Sequence, residues 1–196
     1  MTSCSTIVLI GPRAAGKTAV GRAVGALLGR PFVDLDDMVR ARFAGISVAE
    51  IWARHGEAAF RAAEADALAG LLTEGTPTRG KRAGVGDVAP TGMIVALGGG
   101  TPMIDSARQR LDEARASGRA RVVLLLADTP VLAARIERDG GTRPSLTGAS
   151  PSSEVEEVLA ARLPTYRALA DATFDTASAS IAEVAAAVAG WVRATR

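Results

Sequence analysis

The chain has 196 residues, which suits one domain with one sizeable core. Its 48% hydrophobic and 22% charged content is that of an ordinary globular protein. The formal net charge is +2, and of the 23 basic residues only Lys17 and Lys81 are lysines. The arginines are interleaved with acids, and the densest basic cluster, 79–82, has no aromatic neighbours, so the chain lacks the basic stripe a nucleic-acid binder needs. One cysteine, Cys4, allows no intrachain disulfide and fits a reducing compartment. The first residues carry no basic n-region, and the apolar run 7–10 is too short for a signal peptide or a membrane span. The expectation is a cytoplasmic protein that engages neither membrane nor nucleic acid.

In chain order, apolar strand-like runs alternate with amphipathic helical stretches, the pattern of βαβ units around a parallel sheet. The spacing predicts strands over 6–10, 31–34, 93–97, 121–127 and 172–175. It predicts helices over 17–28, 36–44, 48–55, 57–73, 105–117, 130–138, 154–169 and 181–193. Ser47 with Glu50 three residues on forms a capping box, and Thr129-Pro130 reads as a cap followed by proline at the first helical position. Residues 74–92 and 139–153 are rich in Gly, Pro and Ser, so both are expected as flexible surface loops, an insert and a mobile lid. The whole, 1–196, reads as a single domain.

Between the first strand and the first helix stands Gly11-Pro12-Arg13-Ala14-Ala15-Gly16-Lys17-Thr18, which matches G-x-x-x-x-G-K-[ST] in the strand-to-helix context that gives the motif meaning. Glycines let the backbone curl so that successive N–H groups face phosphate oxygens, and the helix N-terminus adds partial positive charge. Lys17 can bridge the β- and γ-phosphates and the Thr18 hydroxyl can ligate Mg2+. Ala14, Ala15, Gly16 and Ala19 complete the phosphate cradle with Gly11. In a chain that uses arginine nearly everywhere, a lysine at 17 is informative, because a compact ammonium fits among phosphates where a planar guanidinium does not. The expected fold is therefore the three-layer α/β P-loop NTPase fold, with a five-stranded parallel sheet between helices. No apolar strand ends in the Asp-Glu pair of a motor ATPase, and no Asn-Lys-x-Asp guanine reader exists, so a small-molecule kinase is favoured.

The acceptor side begins at Asp34 and Asp36, at the C-terminal end of the second strand, where ligands of open α/β sheets bind. Residues two apart in an extended segment point the same way, so both carboxylates can face the γ-phosphate, one toward magnesium and one toward the attacking hydroxyl. The alternative is a plain strand end with Asp36 as a helix N-cap. His55, the only histidine, sits where a helix C-terminal cap is expected.

Six motifs in order carry a resemblance over nearly the whole chain. They are the P-loop, Asp34-x-Asp36, Gly56-Glu57 with Phe60-Arg61 and Glu64, Gly98-Gly99-Gly100, Arg143-Pro144-Ser145-Leu146-Thr147-Gly148, and Arg162-Leu163-Pro164-Thr165-Tyr166. In this set the chain resembles the shikimate kinases. The resemblance implies phosphorylation of the 3-hydroxyl of shikimate by ATP with Mg2+, in a monomer. It implies that Asp34 stands near the metal and that Asp36 holds the acceptor hydroxyl. Arg61 and Arg162 would grip the carboxylate, Gly98, Gly99 and Gly100 would line the substrate, and the lid's Arg143 would close on the phosphates. Physics agrees: arginine forks hold a planar carboxylate in bidentate fashion, and glycines let backbone N–H groups approach a small polyol. An arginine from a loop stabilises the dispersed charge of phosphoryl transfer and helps exclude water.

The departures are the 74–92 insert and the run 175–179, which lacks the arginine some members place near the adenine, so Arg135 and Arg138 become the candidates to flank it. Two other readings remain open at this level: a P-loop kinase for gluconate or a nucleotide, and a nucleotide-binding regulatory module without catalysis.

Overall fold

The computed structural model describes residues 5–73, 92–138 and 151–195. Five strands, β1 (Thr6–Ile10), β2 (Phe32–Asp34), β3 (Ile94–Ala96), β4 (Ala120–Leu126) and β5 (Ala172–Asp175), form one parallel sheet in the order β2-β3-β1-β4-β5. Seven helices flank it: α1 (Lys17–Leu28), α2 (Leu35–Arg42), α3 (Val48–Thr73), α4 (Asp105–Ala116), α5 (Thr129–Arg138), α6 (Pro151–Leu169) and α7 (Ile181–Ala194). A short 3-10 turn spans Thr101–Met103.

The period of two along β1 divides the core into two layers. Val8 and Ile10 point into a cluster with Leu35 and Val39 of α2, Ile51, Phe60 and Leu68 of α3, and Leu111 of α4. Ile7 and Leu9 point into the opposite cluster with Val20 and Val24 of α1, Leu132 of α5, and Val184 and Val188 of α7. Every residue of β1 is buried, as expected of a central parallel strand covered on both faces. This is the three-layer arrangement predicted from the alternation of elements.

Local signals explain the element ends. The C-terminus of α1 is closed by Gly29 at φ +63°, whose N–H reaches the Ala26 and Gly25 carbonyls. At the start of α3 the expected capping box is present: the Ser47 N–H and hydroxyl donate to Glu50, and the Glu50 N–H donates to the Ser47 hydroxyl. The two helices predicted over 48–55 and 57–73 are one helical segment broken at Gly56, at φ +82° and ψ +158°. Some boundaries move: α2 spans Leu35–Arg42 rather than 36–44, and α6 begins at Pro151, so the last three residues of the expected lid are helical, with a proline at the first helical position. α5 begins at Thr129, because the Leu132 N–H already donates to the Asp128 carbonyl, so Pro130 is second in the helix. Most of the 74–92 insert and of the 139–153 lid lies outside the described residues. Among the described residues no helix is long and apolar enough to cross a membrane.

Candidate active site

Strand order brings the site together. β1 and β3 are neighbours, paired at Leu9–Ala96, so the loop after β1 and the glycine turn after β3 leave the sheet side by side. β2 lies beyond β3 and ends on Asp34, on the same edge. The C-terminal edge of a parallel sheet is where such folds bind ligands. A cleft of about 530 Å3 opens there, lined by residues 13–20, Asp34, Asp36, Leu97, Gly98, Gly99 and, at its far end, Arg135, Arg138, Thr176 and Ile181.

The donor half is the P-loop. Ala14 and Gly16 adopt left-handed φ values of +62° and +84°, the alternation that turns backbone N–H groups inward to form an anion-binding nest. Gly11 cannot carry a side chain, since a Cβ there would collide with the Leu125 carbonyl of β4. Lys17, in the first turn of α1, folds back over the loop and donates to the Gly11 carbonyl at 2.9 Å and the Pro12 carbonyl at 2.7 Å. Its ammonium is thus held at the mouth of the nest. Ala15 is fully buried and fixes the loop to the core below α1.

Asp34 joins the two halves. Its Oδ2 accepts from the Thr18 hydroxyl at 2.7 Å, and its Oδ1 accepts from the Asp36 N–H at 3.1 Å. Asp34, not Asp36, is therefore the N-cap of α2. This settles the N-cap alternative: the capping side chain is that of Asp34, and Asp36 lines the cleft. Thr18 and Asp34 present two hard oxygens within hydrogen-bond distance of each other beside the phosphate nest. That donor set suits Mg2+, which is commonly held by one or two protein oxygens with nucleotide phosphates and water completing its octahedron. Among the described residues no cluster of three or more acidic, histidine or cysteine side chains offers an all-protein cage.

The acceptor half is built on α3 and the glycine turn. Arg61 is 24% exposed and forms ion pairs with Glu57 at 3.1 Å and Glu64 at 2.8 Å. Its guanidinium also lies 5.7 Å from the Trp52 ring and 5.9 Å from the Phe60 ring. Glu64 is 1% exposed, and its other oxygen accepts from the Thr101 hydroxyl at 2.6 Å. Burial raises the Glu64 carboxyl above its ordinary value of 4.5, against the pull of Thr101 and Arg61, with Asp36 adding a like-charge push.

The glycines make this crowding possible. A Cβ on Gly98 would lie 2.7 Å from both Asp36 Oδ1 and Glu64 Oε1, and one on Gly100 would lie 2.9 Å from Arg61 Cζ. Asp36, Glu64 and Arg61 thus converge on a turn where a Cβ at Gly98 or Gly100 would force at least one of them to move. Arg162, half-buried on α6, reaches the same turn through Tyr166, whose hydroxyl it contacts.

The structure therefore gathers Gly11, Ala14, Ala15, Gly16, Lys17, Thr18, Ala19, Asp34, Asp36, Arg61, Gly98, Gly99, Gly100 and Arg162 at one edge of the sheet. Arg61, Gly100 and Arg162 are not among the residues that line the main cleft. Arg143 lies outside the described residues. His55 is exposed at the Gly56 break, against the Phe43 ring, and takes no part in the cleft. Arg135 docks onto the Ala14 carbonyl at 3.2 Å and the Thr176 carbonyl at 2.5 Å, tying α5 to the P-loop and to the turn after β5. The helix spacing makes an ion pair of Arg61 with Glu57 or Glu64 legible in the sequence, and both are present, whereas Tyr166 stood only within a motif and Thr101 carried no sign of its role. The signal for Glu64 was present: three residues after Arg61 on a helix, it shares that residue's face.

Comparison with known proteins agrees with this geometry. The family model described as shikimate kinase matches residues 13–78 and 84–193, so it is interrupted only over 79–83, inside the insert. Shikimate kinase 2 of Syntrophotalea carbinolica is 38% identical over 176 residues, 89% of each chain. Shikimate kinase of Xanthomonas campestris pv. campestris strain 8004 is 34% identical over 186 residues, covering 95% of this chain and 91% of that one. Among solved structures, shikimate kinase from Acinetobacter baumannii in complex with shikimate superposes with a TM-score of 0.79 at 29% identity, over 98% of this chain and 94% of that one. These matches run through both the phosphate loop and the acceptor turn, and they make the chain a member of the shikimate kinase family of ATP-dependent kinases.

Proposed function

We propose that the protein transfers the γ-phosphoryl group of ATP to the 3-hydroxyl of shikimate, giving 3-phosphoshikimate and ADP. The observation that carries this reading is the meeting, on one glycine turn beside the P-loop, of a carboxylate (Asp36) and a guanidinium (Arg61) too crowded to admit a Cβ. A hydroxylated acid needs both: one group for its hydroxyl and one for its carboxylate.

The roles follow from position. The P-loop N–H groups and Lys17 hold the triphosphate. Thr18 and Asp34 would hold Mg2+, which supplies charge neutralisation on the phosphates. Asp36 accepts the proton of the 3-hydroxyl as its oxygen bonds to the γ-phosphorus and the bond to the bridging oxygen of ADP breaks. Arg61 and Arg162 hold the acceptor's carboxylate, with Gly98, Gly99 and Gly100 offering backbone to the ring hydroxyls. Glu64, held by Thr101, aims Arg61. Arg143 is assigned to the γ-phosphate as charge spreads over its oxygens.

Acceptor-dependent ADP release in Mg-ATP tests the reading, with shikimate, gluconate and a nucleoside monophosphate as separate acceptors. Turnover confined to shikimate is expected, and turnover with gluconate or the nucleotide but not shikimate would reassign the acceptor.

A further inference from the structure

Helix α6 carries Arg162 and Tyr166 four residues apart, so the two side chains share a face. Pro164 lies between them inside the helix. It has no N–H to donate, so the Ala160 carbonyl loses its intrahelical donor and the helix is weakened between the two residues. The backbone alone therefore holds Arg162 loosely relative to the turn that follows.

Tyr166 is 0% exposed and belongs to the core cluster that includes Val8, Ile10 and Leu124 of the sheet. Its hydroxyl donates to the Gly99 carbonyl at 2.5 Å, and the Arg162 guanidinium, one turn earlier on the same helix face, acts on the same oxygen. A phenol oxygen has one proton to give, here spent on Gly99, and lone pairs that suit a cationic donor such as Arg162. Gly99 in turn sits against the phosphate loop: a Cβ there would lie 3.5 Å from Arg13 N and Gly11 O and 3.7 Å from Tyr166 Oη. One buried oxygen thus joins α6 to a turn 67 residues earlier in the chain. A phenylalanine ring would fill nearly the same space without the desolvation cost of a hydroxyl, so packing alone gives no reason for the oxygen.

We infer that Tyr166 is a positioning residue for the acceptor's carboxylate, its hydroxyl holding Arg162 and the Gly99 peptide in fixed register so that both face the acceptor together. The inference rests on the reading of the acceptor site given above. Without the hydroxyl, Arg162 keeps its charge but loses its register across the weakened turn at Pro164. The donor half has further ties of its own, through β1, α1 and the Asp34–Thr18 contact, that do not involve the Tyr166 hydroxyl.

The test is steady-state kinetics with Mg-ATP and shikimate on the full chain: wild type, Tyr166→Phe, Arg162→Ala and the double variant, with a melting curve for each. In Tyr166→Phe the shikimate KM should rise about five- to tenfold, while kcat and the ATP KM stay within about twofold. In the Arg162→Ala background the same substitution should raise the shikimate KM by less than about twofold, because two residues acting through one contact are not additive. An unchanged shikimate KM, equal rises in both KM values, or a full effect repeated without Arg162 would overturn the proposal. So would a variant that melts at the assay temperature, which would assign the hydroxyl to stability. No shikimate turnover by the wild type would remove the acceptor assignment and this proposal with it. Wild-type turnover with an indifferent Tyr166→Phe would remove this proposal alone.

Discussion

Gly98 shows at the residue scale how the site depends on what is missing from a side chain. Its α-carbon faces Asp36, Glu64 and Thr101 closely enough that a methyl group would have to displace at least one of them. Gly98→Ala should therefore lower kcat/KM for shikimate by about a hundredfold, the cost of moving a reacting group by roughly an ångström. Activity within a few-fold of wild type would show that the turn is looser than this geometry. Glu64 gives a second prediction, in pH. Because burial raises its carboxyl, the native chain keeps this proton to higher pH than the unfolded chain does. Its contribution to stability is then fully present below 4.5 and declines as pH rises from 4.5 through the raised native value. Glu64→Gln should flatten the pH dependence of the denaturation midpoint across that interval, and a profile with the wild-type slope would mean that another group titrates there. At this scale the sequence was readable where chemistry dictates the residue type, as at Lys17, Asp36 and Arg61. It was silent on Thr101, because a threonine 37 residues from Glu64 carries no local sign of the bond it makes.

At the scale of elements, the break in α3 aims the acceptor side chains. Gly56 has φ +82° and ψ +158°, a conformation essentially closed to residues with a Cβ. Space is not the constraint, since a Cβ there would meet nothing within 4 Å. The break separates the turn carrying Trp52 from the turn carrying Phe60 and Arg61, and lets the two pack edge to face with ring centroids 6.2 Å apart. Gly56→Ala should cost about 1–3 kcal/mol through the backbone and lower the melting midpoint by roughly 2–4 °C for each kcal/mol. It should also raise the shikimate KM as Arg61 shifts; a midpoint and KM equal to wild type would contradict the assigned role of the break. Most element boundaries were legible because their causes are local: the Ser47–Glu50 box, the glycines at 29 and 56, and two-residue periodicity in β1. α5 was misplaced by one residue because Asp128, Thr129 and Pro130 all suit a helix start, and only the Leu132 to Asp128 bond decides among them.

At the scale of the whole molecule, function follows from strand order. Placing β3 between β2 and β1 sets the acceptor turn beside the phosphate loop and sets Asp34 where it touches Thr18. That order is a non-local property, and no periodicity in the chain reports it; the β1–β3 pairing displays it. The same limit hid the Tyr166–Gly99 bond, which exists only once α6 lies across the sheet. The central claim is that these two halves form one site for ATP and shikimate. Its most direct measurement is ADP release with Mg-ATP and shikimate as sole acceptor, with the product examined by phosphorus–proton correlation. Shikimate-dependent turnover with phosphorus coupled to the proton on carbon 3 is the predicted result; no shikimate-dependent turnover, or phosphorus on another hydroxyl, would contradict it.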